Sequence, residues 1–342
     1  MKEAMLWKKA ENKIDIQCYL CSRRCKIGPN QLGFCLVRKN LNGKLFSLNY
    51  GKLISINVDP IEKKPLFHFL PGSDALSISS AGCNFKCSYC CNWQISQIYR
   101  NGMKKIVGEN YEPEQIVNMA KERNCKSISY TYTEPMIFFE FCHDTGIIAK
   151  KQKIFNTFVT NGYATPEAVK LSKKFLDAAT VDFKGNADPD FYRKEAAVPD
   201  IKPIFDCLLE LKRNKIHIEV TDLTVPKIGD NQKSFKNLVK FIVDNLGPET
   251  PFHILRFYPA YRLTNLEDTP VKLLEKEADI AKKEGLKFVY IGNVAMHEME
   301  NTFCPNCKNI VIERLGFSIR KINLDKKNRC KFCGEKIPIV RD

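Results

Sequence analysis

Between residues 75 and 284, short apolar runs alternate with longer stretches whose apolar residues recur every three or four positions. The first pattern is that of strands buried on both faces, and the second that of helices with one buried stripe. Strands are predicted at 75–82, 127–133, 154–160, 178–184, 216–225 and 252–259, and helices at 112–124, 136–151, 166–177, 201–214, 232–246 and 270–284. Several helices open on proline after a capping residue, as in Thr165-Pro166-Glu167 and Thr269-Pro270, where the missing N–H would have had no intrahelical partner anyway. Six consecutive β-α units with right-handed crossovers imply an α/β fold, a parallel sheet curled into a partial (β/α)6 TIM-type barrel. Sites in such sheets lie at the strand C-terminal ends.

Upstream, the alternating residues of Leu45–Tyr50 and Leu53–Val58 predict two strands of a lead-in hairpin. The proline-punctuated stretch from Asp59 to Gly72 reads as a long loop, placed before the first barrel strand where a substrate lid can sit. At 342 residues and 44% hydrophobic composition the chain supports one large core with appendages. The start, Met1-Lys2-Glu3-Ala4-Met5-Leu6-Trp7-Lys8-Lys9, lacks the apolar stretch of a secretory signal. No run of about 18 apolar residues suits a membrane span, so a soluble, cytoplasmic protein is expected.

Fifteen cysteines in such a chain read as metal ligands in a reducing compartment rather than as disulfides. Twelve fall in three groups, with Cys91 in the second along the chain, while Cys125, Cys142 and Cys207 stand alone and read as core residues. Cys18, Cys21, Cys25 and Cys35 form C-x2-C-x3-C-x9-C, a four-thiolate knuckle that either zinc or an iron–sulfur cluster can occupy, with zinc preferred. Cys304, Cys307, Cys330 and Cys333 are two C-x2-C pairs with the spacing of a zinc ribbon. Cys83, Cys87 and Cys90, in Ala81-Gly82-Cys83-Asn84-Phe85-Lys86-Cys87-Ser88-Tyr89-Cys90, form C-x3-C-x2-C at the end of the first predicted barrel strand. Three thiolates on one loop can hold three corners of an iron–sulfur cube and leave the fourth iron for a small molecule. A zinc knuckle is the alternative, but structural zinc usually closes on four ligands. The remaining predicted strands also end in polar or glycine-containing segments, Tyr130–Pro135, Val159–Gly162, Val181–Gly185, Thr221–Pro226 and Arg256–Tyr261, which together with the cysteine loop describe one pocket.

The formal charge is +15, concentrated at the ends: residues 1–50 hold ten basic and three acidic side chains, residues 301–342 ten and four. Thiolate ligands would lower the excess. No arginine-rich tract or aromatic platform accompanies it, so nucleic acid is not the expected partner and an acidic protein or anionic substrate suits the surface as well.

The cysteine loop, taken with the N-terminal cysteines and Gly33-Phe34-Cys35, the segment Asp59-Pro60-Ile61-Glu62-Lys63-Lys64-Pro65-Leu66-Phe67-His68, Tyr132-Thr133-Glu134-Pro135, Tyr290-Ile291-Gly292-Asn293-Val294 and the C-terminal cysteine pairs, resembles the radical S-adenosylmethionine (SAM) superfamily. Within it the chain is similar to the branch of pyruvate formate-lyase activating enzyme, and most similar to the radical SAM enzymes of the AmmeMemoRadiSam system. The resemblance implies a [4Fe-4S] cluster on Cys83, Cys87 and Cys90, with SAM chelated to its open iron, and a flavodoxin or ferredoxin as electron donor. It implies SAM contacts from Tyr89, Thr133, Glu134, Asn161, Asp182, Lys184 and Asn293. Activating enzymes carry a histidine near the position of Tyr261, and the branch commonly has glutamine where Cys91 stands, so Cys91 reads as a spectator. Three modules are expected: a knuckle over 1–45, the radical SAM core over 46–300 and the ribbon over 301–342. The implied substrate is either one handled with Memo-like and AMMECR-type proteins or the backbone glycine of a glycyl-radical enzyme. A zinc-ribbon nucleic-acid binding protein on a barrel scaffold is the reading from another class.

Overall fold

The computed structural model describes residues 1–12 and 14–341. Its central sheet has eight strands, β1 (Ser55–Pro60), β2 (Asp74–Ser79), β3 (Ser127–Tyr130), β4 (Phe155–Thr160), β5 (Ala178–Lys184), β6 (His217–Thr224), β7 (Phe252–Arg256) and β8 (Val289–Gly292), neighbours in that order from edge to edge. Strands β2 to β8 run parallel, and β1 lies antiparallel to β2. All six predicted strands are present and each leads to a helix, and the sheet extends past them at both edges. A seventh parallel strand, β8, closes one edge and β1 the other. β8 is four residues long and is followed only by a single 3-10 turn, Glu298–Glu300, with no α-helix after it, so the alternation that revealed the other strands is missing there. Among the described residues β1 and β8 do not pair.

The expected lead-in hairpin does not form. Lys44–Ser47 pairs with Arg38–Leu41 and Lys2–Glu3, Lys52–Leu53 with Glu109–Asn110, and Ser55–Pro60 enters the central sheet. Alternation marked both segments as strands and left their partners open.

The helices α1 (Pro113–Glu122), α2 (Phe139–Lys151), α3 (Pro166–Ser172), α5 (Lys202–Arg213), α6 (Gln232–Phe241) and α7 (Val271–Lys283) answer the predicted six, while α4 (Pro189–Ala196) is short, polar and was not anticipated. Local chemistry sets their starts. Glu112 and Gln115 close a capping box at α1, Thr165 Oγ1 accepts the Ala168 N–H at 3.2 Å at α3, and Asp188 caps α4 before Pro189. α5 shows what their apolar stripes contribute: it buries Ile204, Cys207, Leu208 and Leu211, each large aliphatic side chain contributing about 1.5–3 kcal/mol. Among the described residues no helix is long and apolar enough to cross a membrane.

Strand register decides which side chains share a face. Ser77, Ser129 and Thr157 align across β2, β3 and β4, and Val159, Thr180 and Glu219 across β4, β5 and β6. On the opposite face Val181 and Phe183 pack on α5, with Phe183 5.0 Å from Phe205. The Ser77–Glu219 face is therefore the concave one.

The segment 61–73 contradicts the expected lid. Pro60 pairs with Asp74, so the segment leaves and returns at the N-terminal end of β2, opposite the cysteine loop. There Leu66, Phe67, Phe69 and Leu70 are buried. Glu219 accepts the backbone N–H groups of Phe67 at 3.0 Å and His68 at 2.7 Å, and Thr180 donates to the Lys64 carbonyl at 2.6 Å. The segment plugs the floor. Residues 302–341 lie beneath it as a three-stranded sheet, Thr302–Phe303, Ile310–Leu315 and Ser318–Ile322, tied to the plug by Arg314 donating to the Phe67 carbonyl at 2.9 Å and by His68 Nδ1 to the Pro338 carbonyl at 3.0 Å. The N-terminal module sits at the other end: Ser22 N–H donates to the Tyr163 carbonyl at 2.8 Å and Thr165 Oγ1 to the Tyr19 carbonyl at 2.7 Å, both just beyond the end of β4.

Candidate functional site

Gly82, at φ 106°, turns the chain out of β2, a conformation that favours glycine. The loop it opens carries Cys83, Cys87 and Cys90 and is held from several sides. Lys86 and Ser88 donate N–H groups to the carbonyls of Ala196 and Glu195 at 3.0 and 2.8 Å, and Arg262 N–H reaches the Ser88 carbonyl at 2.9 Å. Phe85 is buried against Tyr163, 5.3 Å between ring centres. Cys83 Sγ accepts the Phe85 N–H at 3.4 Å, and Cys90 Sγ lies 3.1 Å from Ser96 Oγ. Burial and then mutual repulsion push the Cys83 and Cys87 thiols up, Cys87 to about 12. A cationic iron centre relieves that penalty, since bound metal inverts local pKa logic, so the three thiols fit a cluster. Cys91 is exposed.

The predicted contact residues divide. Tyr89 is buried against Phe191 and sets its hydroxyl beside Cys87. Asn161 Nδ2 donates to Asn84 Oδ1 at 2.7 Å, binding the end of β4 to the cysteine loop. Asp182 and Lys184, at the end of β5, form a 3.3 Å ion pair. Burial works against the Lys184 charge, but Asp182 and the thiols of Cys91 and Cys87 outweigh it and raise its pKa. Thr133 Oγ1 donates to the Ser80 carbonyl at 2.8 Å. Glu134 is 1% exposed and accepts from Thr160 Oγ1 at 2.8 Å, Asn161 N–H at 2.9 Å and Met136 N–H at 3.2 Å. Burial pushes its carboxyl up to about 7. Its oxygens thus join two strand ends, with little acceptor capacity left over. Asn293 stays at the sheet edge, donating to the Arg256 carbonyl at 3.0 Å.

Residues that sequence reading passed over complete the rim. Asn92 Nδ2 donates to the Tyr132 carbonyl at 2.8 Å, and Trp93 stacks on Tyr261, 5.2 Å between centres and 16° between planes. Below, the buried hydroxyls of Ser79, Ser127, Ser129 and Thr157 find no hydrogen-bond partner among the described residues. The concave wall beneath the cysteine loop is therefore lined with polar groups able to receive a polar molecule. Alternating small polar residues within strands were the available signal.

A model of the radical SAM superfamily matches residues 77–242, from β2 through α6. The chain belongs to the radical SAM superfamily. It is also 45% identical over 341 residues, covering 99% of this chain and 100% of the other, to "Uncharacterized protein MJ0808" of Methanocaldococcus jannaschii. A "Putative glycyl-radical enzyme activating enzyme MJ1227" of the same organism is 24% identical over 229 residues, 65% of this chain and 88% of that one. The structure of Streptococcus suis SuiB bound to S-adenosylmethionine shares the fold, with a TM-score of 0.50 at 15% identity over 72% of this chain and 57% of that chain.

In this radical SAM protein the C-terminal cysteines form a closed group. The sulfurs of Cys304, Cys307, Cys330 and Cys333 all lie within 4.8 Å of one another, with Cys304 to Cys333 at 3.6 Å and Cys307 to Cys330 at 3.7 Å. Metal–sulfur bonds of about 2.3 Å put the corners of a tetrahedron about 3.8 Å apart, so the group fits one ion. The group belongs to the module under the floor plug, at the far end of the strands from Cys83, Cys87 and Cys90.

Proposed function

We propose that the protein reductively cleaves SAM at a [4Fe-4S] cluster held by Cys83, Cys87 and Cys90 and abstracts hydrogen from a polar substrate. The carrying observation is the three-thiol loop at the C-terminal end of the first parallel strand, above a concave wall of hydroxyls without partners among the described residues. When bound, the cluster supplies one electron to the SAM sulfonium, giving methionine and a 5′-deoxyadenosyl radical. The chain's own residues hold and enclose these groups. Lys184 offers its ammonium to the SAM carboxylate, Asp182 keeps that ammonium charged, and Asn161 fixes the loop against β4. The floor plug excludes water from below. Cys304, Cys307, Cys330 and Cys333 would hold a structural zinc ion, because four thiolates leave no open position. Exposed Lys86 and Arg262, beside a surface recess shared with Arg100 and Tyr261, suit an acidic flavodoxin or ferredoxin donor.

The combination of cysteine modules with the core supports the AmmeMemoRadiSam type of activity, exercised with Memo-like and AMMECR-type proteins in the cytoplasm. Similarity to a protein named as a glycyl-radical activating enzyme supports a second reading, in which the hydrogen comes from a partner's backbone glycine. Anaerobically reconstituted protein with dithionite should convert SAM to 5′-deoxyadenosine. Turnover retained after replacing Cys83, Cys87 and Cys90 with alanine would overturn the proposal, and a glycine-centred paramagnetic signal in a partner would select the second reading.

A further inference from the structure

The N-terminal cysteines are arranged unlike the ribbon cysteines. Cys18, Cys21, Cys25 and Cys35 line one cavity together with Leu20, Ile27, Met136 and Ile137. Among the described residues, the ribbon alone gathers three or more candidate ligands whose donor atoms all lie within 4.8 Å of one another. Any three of the N-terminal sulfurs therefore include a pair more than 4.8 Å apart, beyond the edge of about 3.8 Å of a single-ion tetrahedron. A cubane places irons and sulfides between its ligands and spreads the thiolates accordingly.

The walls suit a cluster as well as the spacing does. Phe34 N–H donates to Cys25 Sγ at 3.4 Å. Hydrogen bonds to sulfur of this kind tune cluster potentials. Gly33 lets the chain pass close: a Cβ there would stand 3.2 Å from Ile27 Cδ1 and 3.8 Å from Cys25 Sγ. Arg23 and Arg38 also line the cavity and offset thiolate charge.

The chamber abuts the radical-generating loop. Asn84, which follows Cys83 directly, is part of its wall. Arg23 Nε donates to the Asn84 carbonyl at 3.0 Å, and Arg100 bridges the carbonyls of Phe34 at 2.7 Å and Cys83 at 3.2 Å.

We propose that Cys18, Cys21, Cys25 and Cys35 hold a second iron–sulfur cluster of the four-thiolate cubane class, beside the first, and not the zinc that their spacing alone favours. The site does not depend on the SAM chemistry. The test uses the full chain, reconstituted anaerobically with iron and sulfide and desalted, as wild type, as the Cys83→Ala/Cys87→Ala/Cys90→Ala variant and as the Cys18→Ser/Cys25→Ser variant. The first variant should keep about four irons and four sulfides per chain, as one cubane requires, with a single reduced-cluster paramagnetic signal. In the wild type that signal should be broadened by coupling to its neighbour. The second variant should lose the same amount of iron and sulfide while keeping the rest. If it fails to fold, iron and sulfide in the first variant decide alone. Two zinc ions per chain in the first variant, one of them beyond the ribbon's, without acid-labile sulfide, would overturn the proposal. Loss of SAM cleavage with the second cluster intact would count only against the proposed function.

Discussion

Glu219 is the group on which the floor of the sheet depends, and replacing it separates a charged anchor from a space-filler. Its Oε2 accepts from Phe67 N–H at 3.0 Å and His253 Nε2 at 2.8 Å, and its Oε1 from His68 N–H at 2.7 Å and His217 Nε2 at 3.2 Å. Burial would raise the carboxyl pKa, but hydrogen bonds from the two histidines override it and hold the group well below the usual carboxylate range. Glu219→Ala orphans buried donors on both sides and is expected to cost about 3–5 kcal/mol. Glu219→Gln keeps the shape, yet whichever way the amide lies its NH2 meets a backbone N–H, so a comparable loss of several kcal/mol is expected. With about 2.1 cal/mol/K of unfolding entropy per residue over 342 residues, this corresponds to a fall in Tm of roughly 4–7 °C for a chain that unfolds as one unit. The pH dependence follows in sign. A depressed folded pKa contributes stability that is present above the unfolded value of about 4.3 and is lost as pH falls below it. His68, held neutral by burial at about 3, acts in the same direction from about pH 6.5 downward. Thermal unfolding from pH 8 to 3.5 should show wild-type stability falling with acidity and the Glu219→Gln curve flatter below about pH 4.5. A Gln variant within 1 kcal/mol of wild type at pH 7 would refute the anchoring role.

Two further outcomes are expected. Arg38 and Glu140 form a buried ion pair between the N-terminal module and α2. Arg38→Met leaves the Glu140 charge unpaired and should cost about 3–5 kcal/mol in denaturant unfolding, of which Arg38→Met/Glu140→Leu recovers more than half; no recovery would count against the pair. Lys184→Ala should raise the KM for SAM by about 10–150-fold, the equivalent of a 1.5–3 kcal/mol charge-assisted hydrogen bond, at unchanged iron content. A KM within threefold of wild type would remove Lys184 from the SAM site.

Much of this was legible in residues that act locally. Proline and capping residues placed the helices, because a helix start is decided within one turn. Apolar runs placed six strands, because a strand buried on both faces needs nothing distant to declare itself. The spacing of Cys83, Cys87 and Cys90 announced a three-thiol loop, because three candidate ligands from one loop need only that loop's geometry. Pairing partners and the direction of a connection depend on what lies across the sheet, and there the sequence was silent. The segment 61–73 had the composition of a lid, and the Pro60–Asp74 register with the anchor at Glu219 made it a floor. The two four-cysteine sets read alike along the chain, yet folding closed one around the dimensions of a single ion and left the other spread around a cavity whose wall includes Asn84. Ligand spacing in sequence is a one-dimensional quantity, whereas sulfur separation is fixed only when strands, turns and the neighbouring arginines have all been packed.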